Sequence, residues 1–267
     1  PLAAGRGQSL ALQPDGAVVG WGRDKDGQIT GVPNATAPYT NAGLAVVDGR
    51  VLSNVAAVAA GETHSMALHR DGTVTTWGYM GNNAGVYTNI PASAQGKVMA
   101  IAAAANNGLA LTTDGAVVIW GNQTYKYIPE EATNFVAIAA GLYHFLGVRS
   151  DGTVFAWSAT GVTAPPADLS NVVAIAGGYD FSMALKKDGT VTAWGRNDVG
   201  QCNIPAGATN VVAMAGGFEH TLFLTRDGRL VGGGGNTYNQ IDVPAGLSDV
   251  AAIAAGSFHS VAVRNDG

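Results

Sequence analysis

Residues 171–195 read NVVAIAGGYDFSMALKKDGTVTAWG, three short apolar runs separated by a Gly-Gly step and a Lys-Asp-Gly turn. The runs VVAIA, FSMAL and TVTAWG are strand-length, and the first and third are rich in the β-branched and aromatic residues that suit a pleated surface. Asp-Gly between two such runs marks a hairpin, because glycine accepts the positive φ that a tight turn needs. The stretch predicts a three-stranded antiparallel meander.

The rest of the chain repeats this unit. The Asp-Gly turn recurs at Asp15, Asp71, Asp114, Asp151, Asp188, Asp227 and Asp266, with spacings of 56, 43, 37, 37, 39 and 39 residues. Six positions after the Asp come Trp21, Trp77, Trp120, Trp157, Trp194 and Gly233, a column that collects all five tryptophans. Seven before it stand Gln8, His64, Asn107, His144, Phe181, His220 and His259, which include four of the five histidines. Seventeen before it stand Asn54, Lys97, Asn134, Asn171, Asn210 and Asp249, each followed by Val or Phe. Length varies only after the Trp-Gly. Residues 34–53 are an insertion with an extra turn at Asp48-Gly49.

No segment has sustained helical periodicity. Short meanders recurring every 37 to 39 residues predict an all-β fold, a seven-bladed β-propeller of three- to four-stranded antiparallel blades, with residues 1–267 as one domain. One meander cannot bury both its faces; packing against its neighbours does so, and closing the circle removes unprotected edges. The seventh copy stops after its turn without a tryptophan strand, so the chain reads as an excerpt of a longer polypeptide.

Composition narrows function. The formal charge of −5, with no Lys/Arg cluster, argues against a nucleic-acid partner. No apolar run approaches the ~20 residues that span a bilayer, so membrane insertion is not expected. The single cysteine, Cys202, excludes an internal disulfide and reads as a half-buried residue after a tryptophan strand. Neither HxxxH nor CxxC spacing occurs, and the glycines at 232–235 lack the Lys-Ser/Thr of a phosphate loop. No metal, cofactor or catalytic residue is therefore assigned. The histidine column, shared with Gln8, Asn107 and Phe181, reads as satisfying backbone groups at a strand start, and the tryptophan column as packing between blades.

AAGETHSMALHRDGTVTTWG and DGTVTAWGRNDVGQCNIP resemble the repeat of the regulator of chromosome condensation family, V-A-x-G-x-x-H-S-x-A-L-x-x-D-G-x-V-x-x-W-G-x-N-x-x-G-Q. The resemblance covers nearly the whole chain and implies a seven-bladed propeller that binds partner proteins. The founding type is an exchange factor for a small nuclear GTPase, but a basic tail and an exchange-loop motif are missing here. Repeat length is similar to that of a bacterial branch containing a propeller-type β-lactamase inhibitory protein, which implies a secreted or cell-surface location and, as one alternative, inhibition of a class A β-lactamase.

In an up-and-down meander the Asp-Gly turns lie at one end, and the loop before the histidine column and the start of the loop after Trp lie at the other. That second end carries the variation. Just before the histidine column stand Gly7, Thr63, Asn106, Tyr143, Asp180, Glu219 and Phe258, and the loops after the tryptophans add Arg23, Asp24, Tyr79, Tyr125, Arg196, Asp198 and Tyr238. Aromatics mixed with charges on a rigid frame suit protein recognition. The expected site is Thr63, Tyr79, Tyr125, Tyr143, Asp180, Asp198, Glu219, Tyr238 and Phe258, on a monomeric scaffold whose partner is another protein. Carbohydrate would use the same aromatics as platforms.

Overall fold

In the computed structural model, residues 1–34, 36, 41–80, 90–122, 126–158 and 163–267 are described. The chain divides into two compact units, Pro1–Asn134 and Phe135–Gly267. Each is a succession of small antiparallel sheets, numbered here in chain order. The first unit holds a four-stranded sheet (Leu2–Ala4, Gln8–Leu12, Val18–Gly22 and Asn41–Leu44), then Val55–Ala60, His64–His69 and Val74–Gly78, then Val98–Ala103, Asn107–Thr112 and Val117–Gly121. The second unit holds Phe135–Ala140, Phe145–Arg149 and Val154–Trp157 as the fourth sheet, Val172–Gly177, Phe181–Lys186 and Val191–Gly195 as the fifth, and Val211–Gly216, His220–Thr225 and Leu230–Gly234 as the sixth. The seventh pairs Val250–Ala255 with Ser260–Arg264. Helix is confined to one 3-10 turn at Ala92–Ala94 among the described residues.

The repeat columns now have physical causes. Asn54, Asn134, Asn171, Asn210 and Asp249 have φ between 50 and 62°, the left-handed region in which short amide and carboxylate side chains are tolerated. The third sheet has Lys97 in this column and shifts the conformation one place back, onto Gly96 at φ 72°. Each first strand of the second to seventh sheets then carries a bulge after its opening Val or Phe, as between Val172 and Ala174.

The Asp-Gly turn is a three-residue connection. In the fifth sheet Gly189 N–H donates to Lys186 O (3.0 Å), Lys186 N–H donates to Thr190 O (2.9 Å), and only Gly189 of the turn has positive φ, 83°. Asp188 closes it by accepting from Thr190 N–H (2.9 Å) and Thr190 Oγ1 (2.7 Å). Asp48-Gly49 in the insertion differs, with both residues at positive φ in a two-residue hairpin between Val47 and Arg50. The insertion also supplies the fourth strand of the first sheet, with Ala42 opposite Trp21.

Within each unit the apolar clusters join successive sheets. Leu10, Val18, Val55, Ala67 and Trp77 link the first and second, and Leu68, Val74, Val98, Ala110 and Trp120 the second and third. Leu146, Val148, Val172, Ala184 and Trp194 link the fourth and fifth, and Phe181, Met183, Val211 and Phe223 the fifth and sixth. Each fully buried side chain of this kind contributes about 1.5–3 kcal/mol, so the sheets joined in this way depend on one another. The indole N–H of Trp77 donates to Ile29 O (3.3 Å) and that of Trp194 to Thr163 O (3.2 Å), which fixes the ring against the preceding sheet's loop. Trp21, 38% exposed, departs from this pattern.

Candidate functional site

The loop before the second strand is a rigid step built from backbone. Its first N–H donates to the next sheet's corresponding loop: Arg6 to Gly61 O (3.3 Å), Glu62 to Ala105 O (2.9 Å), Leu142 to Gly178 O (3.1 Å), Tyr179 to Gly217 O (3.2 Å) and Phe218 to Ser257 O (3.2 Å). The carbonyl one residue later receives the chain leaving the third strand, as in Tyr79 N–H to Thr63 O (2.8 Å), Arg196 N–H to Asp180 O (2.9 Å) and Gly235 N–H to Glu219 O (2.7 Å). Both variable loops of a repeat are therefore held together at the end opposite the Asp-Gly turn.

The chain after the third strand is clasped as well. Asn197 Oδ1 accepts from Cys202 N–H (2.8 Å), Asn236 Oδ1 from Ile241 N–H (3.1 Å) and Asp24 Oδ1 from Ile29 N–H (2.7 Å). The buried glutamines Gln28, Gln201 and Gln240 accept from the N–H two residues before them, Tyr238 in the last case (2.8 Å). Asp24 is fully buried in this role and also accepts from Thr30 and Asn41, so it is a loop clamp and presents no charge to a partner. Cys202 is half-buried, its thiol donates to Arg196 O (3.2 Å), and burial pushes its pKa up, which makes it a poor nucleophile.

On this frame the second unit builds a continuous aromatic ladder. Tyr143 meets Tyr179 edge-on (centroids 5.7 Å), Tyr179 meets Phe218 (4.1 Å), Phe218 meets Phe258 (5.3 Å), and Phe258 meets Tyr238 edge-on (5.2 Å). Tyr238 is 64% exposed and Phe258 40%. Beside the ladder Arg196 lies over the Tyr179 ring (5.7 Å) and bonds both Asp198 (2.6 Å) and Glu219 (3.1 Å). Asp180 is exposed and adds to the field that stabilises the guanidinium.

Of the expected residues, Tyr143, Tyr238 and Phe258 thus lie in one ladder, with Asp180, Asp198 and Glu219 grouped at Arg196. Thr63 and Tyr79 are in the first unit, where Thr63 Oγ1 donates to Tyr79 O (2.5 Å) and meets Asn106 Oδ1 (3.3 Å); the Tyr79 ring is exposed. Tyr125 falls outside the described residues. The two central rungs, Tyr179 and Phe218, were missed because they stand one position earlier in their loops than Tyr143 and Phe258. The signal was present in GLY, GGY, GGF and GSF, where an aromatic follows the loop glycine in four successive repeats.

The histidine column lies beneath these loops. Gln8 and Asn107 act on backbone carbonyls as expected: Gln8 Nε2 donates to Gly61 O (2.9 Å) and Asn107 Nδ2 to Trp120 O (3.2 Å). The histidines behave differently and reach sideways, His144 Nε2 to Ser182 Oγ (2.9 Å) and His220 Nε2 to Ser260 Oγ (3.2 Å). Where the neighbouring repeat has Gly108 in place of that serine, buried His64 finds no partner for either ring nitrogen among the described residues. Where Phe181 replaces the histidine, the buried Thr221 hydroxyl finds no partner among the described residues. Burial lowers the pKa of His64, His144 and His220 to about 4, so all three are neutral at pH 7. A Cβ on Gly141 would fall 2.1 Å from His144 Cε1, which accounts for the glycine before the ring; where Ala104 takes that place, the Asn107 amide donates instead to Trp120 O and Asn122 O. Among the described residues no three His, Cys, Asp or Glu side chains gather as a metal site.

Small meanders packed in series by a tryptophan column define a repeat β-propeller protein. Residues 55–85, 135–159, 172–201 and 211–240 match the regulator of chromosome condensation (RCC1) repeat. The chain carries RCC1 repeats in both units, and its fold is that of the RCC1-type propellers. It covers 99% of its length against Prp20p of Saccharomyces cerevisiae (18% identity, TM-score 0.76, 83% of that chain). It does the same against human WBSCR16 (18% identity, TM-score 0.76, 86% of that chain). The ectodomain of the Physcomitrella patens receptor kinase CR4 is also similar (20% identity, TM-score 0.75, 99% of this chain and 70% of that one).

Proposed function

We propose that this chain is a non-enzymatic protein-binding scaffold whose partner docks on the aromatic ladder of the second unit. The observation that carries this reading is the ladder's continuity: five rings from four successive repeats, in contact from Tyr143 to Tyr238 and open to solvent at the Phe258–Tyr238 end. The backbone steps and Asn/Gln clasps fix the loops before any partner arrives, so docking orders little chain. Aromatic side chains on such a frame bury large area with few rotors lost. RCC1-type relatives are consistent with this use; the Prp20p structure is described with binding to Gsp1p and histones.

Affinity capture with quantitative mass spectrometry tests the reading. Tyr179→Ala, Phe218→Ala and Phe258→Ala are each expected to weaken a captured partner by about 1–2 kcal/mol or more. Val173→Ala, at an exposed position beside the Asp-Gly end, is expected to leave it unchanged. Equal recovery across all four variants would remove this face from consideration. Two alternatives, inhibition of a class A β-lactamase and carbohydrate binding, would occupy the same loops. Nitrocefin hydrolysis that proceeds undiminished at micromolar protein ends the first, and a blank glycan array ends the second.

A further inference from the structure

We infer that the segment docking on the ladder is cationic and presents arginine; this rests on the reading above and names the chemistry of the partner. Three features of the face converge on it. Arg196 is one guanidinium among three carboxylates, Asp180, Asp198 and Glu219, which leaves a formal excess of two negative charges beside the rings. A neutral apolar partner would desolvate these groups without compensating them, whereas a guanidinium supplies both charge and paired donors.

The rings themselves are arranged for cations. Successive planes are inclined by 71, 38, 39 and 65°, so no two neighbouring rings are coplanar and no extended flat platform forms. A sugar stacks best on an open flat face. A planar guanidinium needs only a single ring face with a carboxylate at its rim, and Arg196 already adopts that pose over Tyr179 with Asp198 and Glu219 as its acceptors. Among the described residues of the first unit this bias is not found, since there Arg6 pairs with Glu62 and Arg23 with Asp26.

The test uses the whole chain, immobilised, against a displayed library of random peptides about twelve residues long, followed by fluorescence anisotropy on the enriched sequences. Enrichment of arginine-bearing peptides is expected, with affinity falling about tenfold when each arginine is replaced by its neutral isostere citrulline and again when salt rises severalfold. Asp180→Asn combined with Glu219→Gln is expected to weaken the same peptides about tenfold; because the citrulline and salt comparisons use the unmodified chain, a misfolded double variant leaves the test intact. Enriched peptides that are neutral or acidic, yet lost on Phe218→Ala, would overturn the cation inference and leave the docking face standing. No enrichment, or enrichment indifferent to Phe218→Ala, would overturn both.

Discussion

Acidification from about pH 7.5 to about pH 5 should destabilise this protein through its histidine column, before most of its carboxylates are protonated. His64, His144 and His220 are buried and held neutral, with pKa values of about 4 against an ordinary 6.5. The unfolded chain binds more protons than the folded one throughout the interval between those values. Stability is therefore fully present above pH 6.5 and is lost as pH falls toward 4. At about pH 5 the unfolded imidazole is almost fully protonated and the folded one about one-tenth so; at about 1.36 kcal/mol per pH unit this is about 2 kcal/mol per histidine, and about 6 kcal/mol for the three. That is a large part of the ~5–15 kcal/mol that holds a typical domain. Equilibrium urea unfolding at the two pH values measures the loss, and NMR titration of the imidazole C2–H signals reads the folded pKa values directly. Gln8 shows that glutamine fits this column, donating to Gly61 O and His64 O, so His144→Gln should remove about a third of the pH dependence. A urea midpoint that is flat between the two pH values, or imidazoles that titrate near 6.5, would refute the account.

The sideways histidine bonds make an opposed pair of predictions. Ser182→Ala strips His144 of its partner and should cost about 1–2 kcal/mol, while Thr221→Ala removes a hydroxyl that finds no partner among the described residues and should be neutral or stabilising. Chemical denaturation of both variants decides; equal effects would mean that the serine is packed and the bond is incidental. The left-handed asparagines give another contrast: Asn210→Ala, at φ 50°, should destabilise by about 1 kcal/mol, whereas Asn210→Gly should change stability by no more than a few tenths. A thermal melt in which alanine and glycine behave alike would show that the Asn side chain, and not its backbone, sets that column.

How far the site could be read from sequence follows from which interactions the repeat fixes. Hairpin turns, strand-opening asparagines and tryptophans answer to contacts that recur from repeat to repeat, with departures at Lys97, Trp21 and Gly233, so each forms a column and the all-β meander is legible from spacing alone. The ladder answers to a different constraint. Its rungs must touch the next repeat's rung, and a ring can do so from either of two adjacent loop positions; Tyr179 and Phe218 use the earlier one, Tyr143 and Phe258 the later. Either column therefore samples two of these four rungs, and Tyr238 joins from the loop after the third strand. In a strand, neighbouring side chains would point to opposite faces and the two positions would be inequivalent, but at the crest of a loop both reach solvent. Asp24 shows the converse: it stands among variable surface loops, yet burial and the Ile29 N–H make it the counterpart of Asn197 and Asn236, three places after Trp21 as they are after Trp194 and Gly233. The frame is thus written in columns and the recognition surface in contacts between them. The ladder is visible in sequence only when the two loop positions are read together, as one aromatic per repeat from the fourth to the seventh.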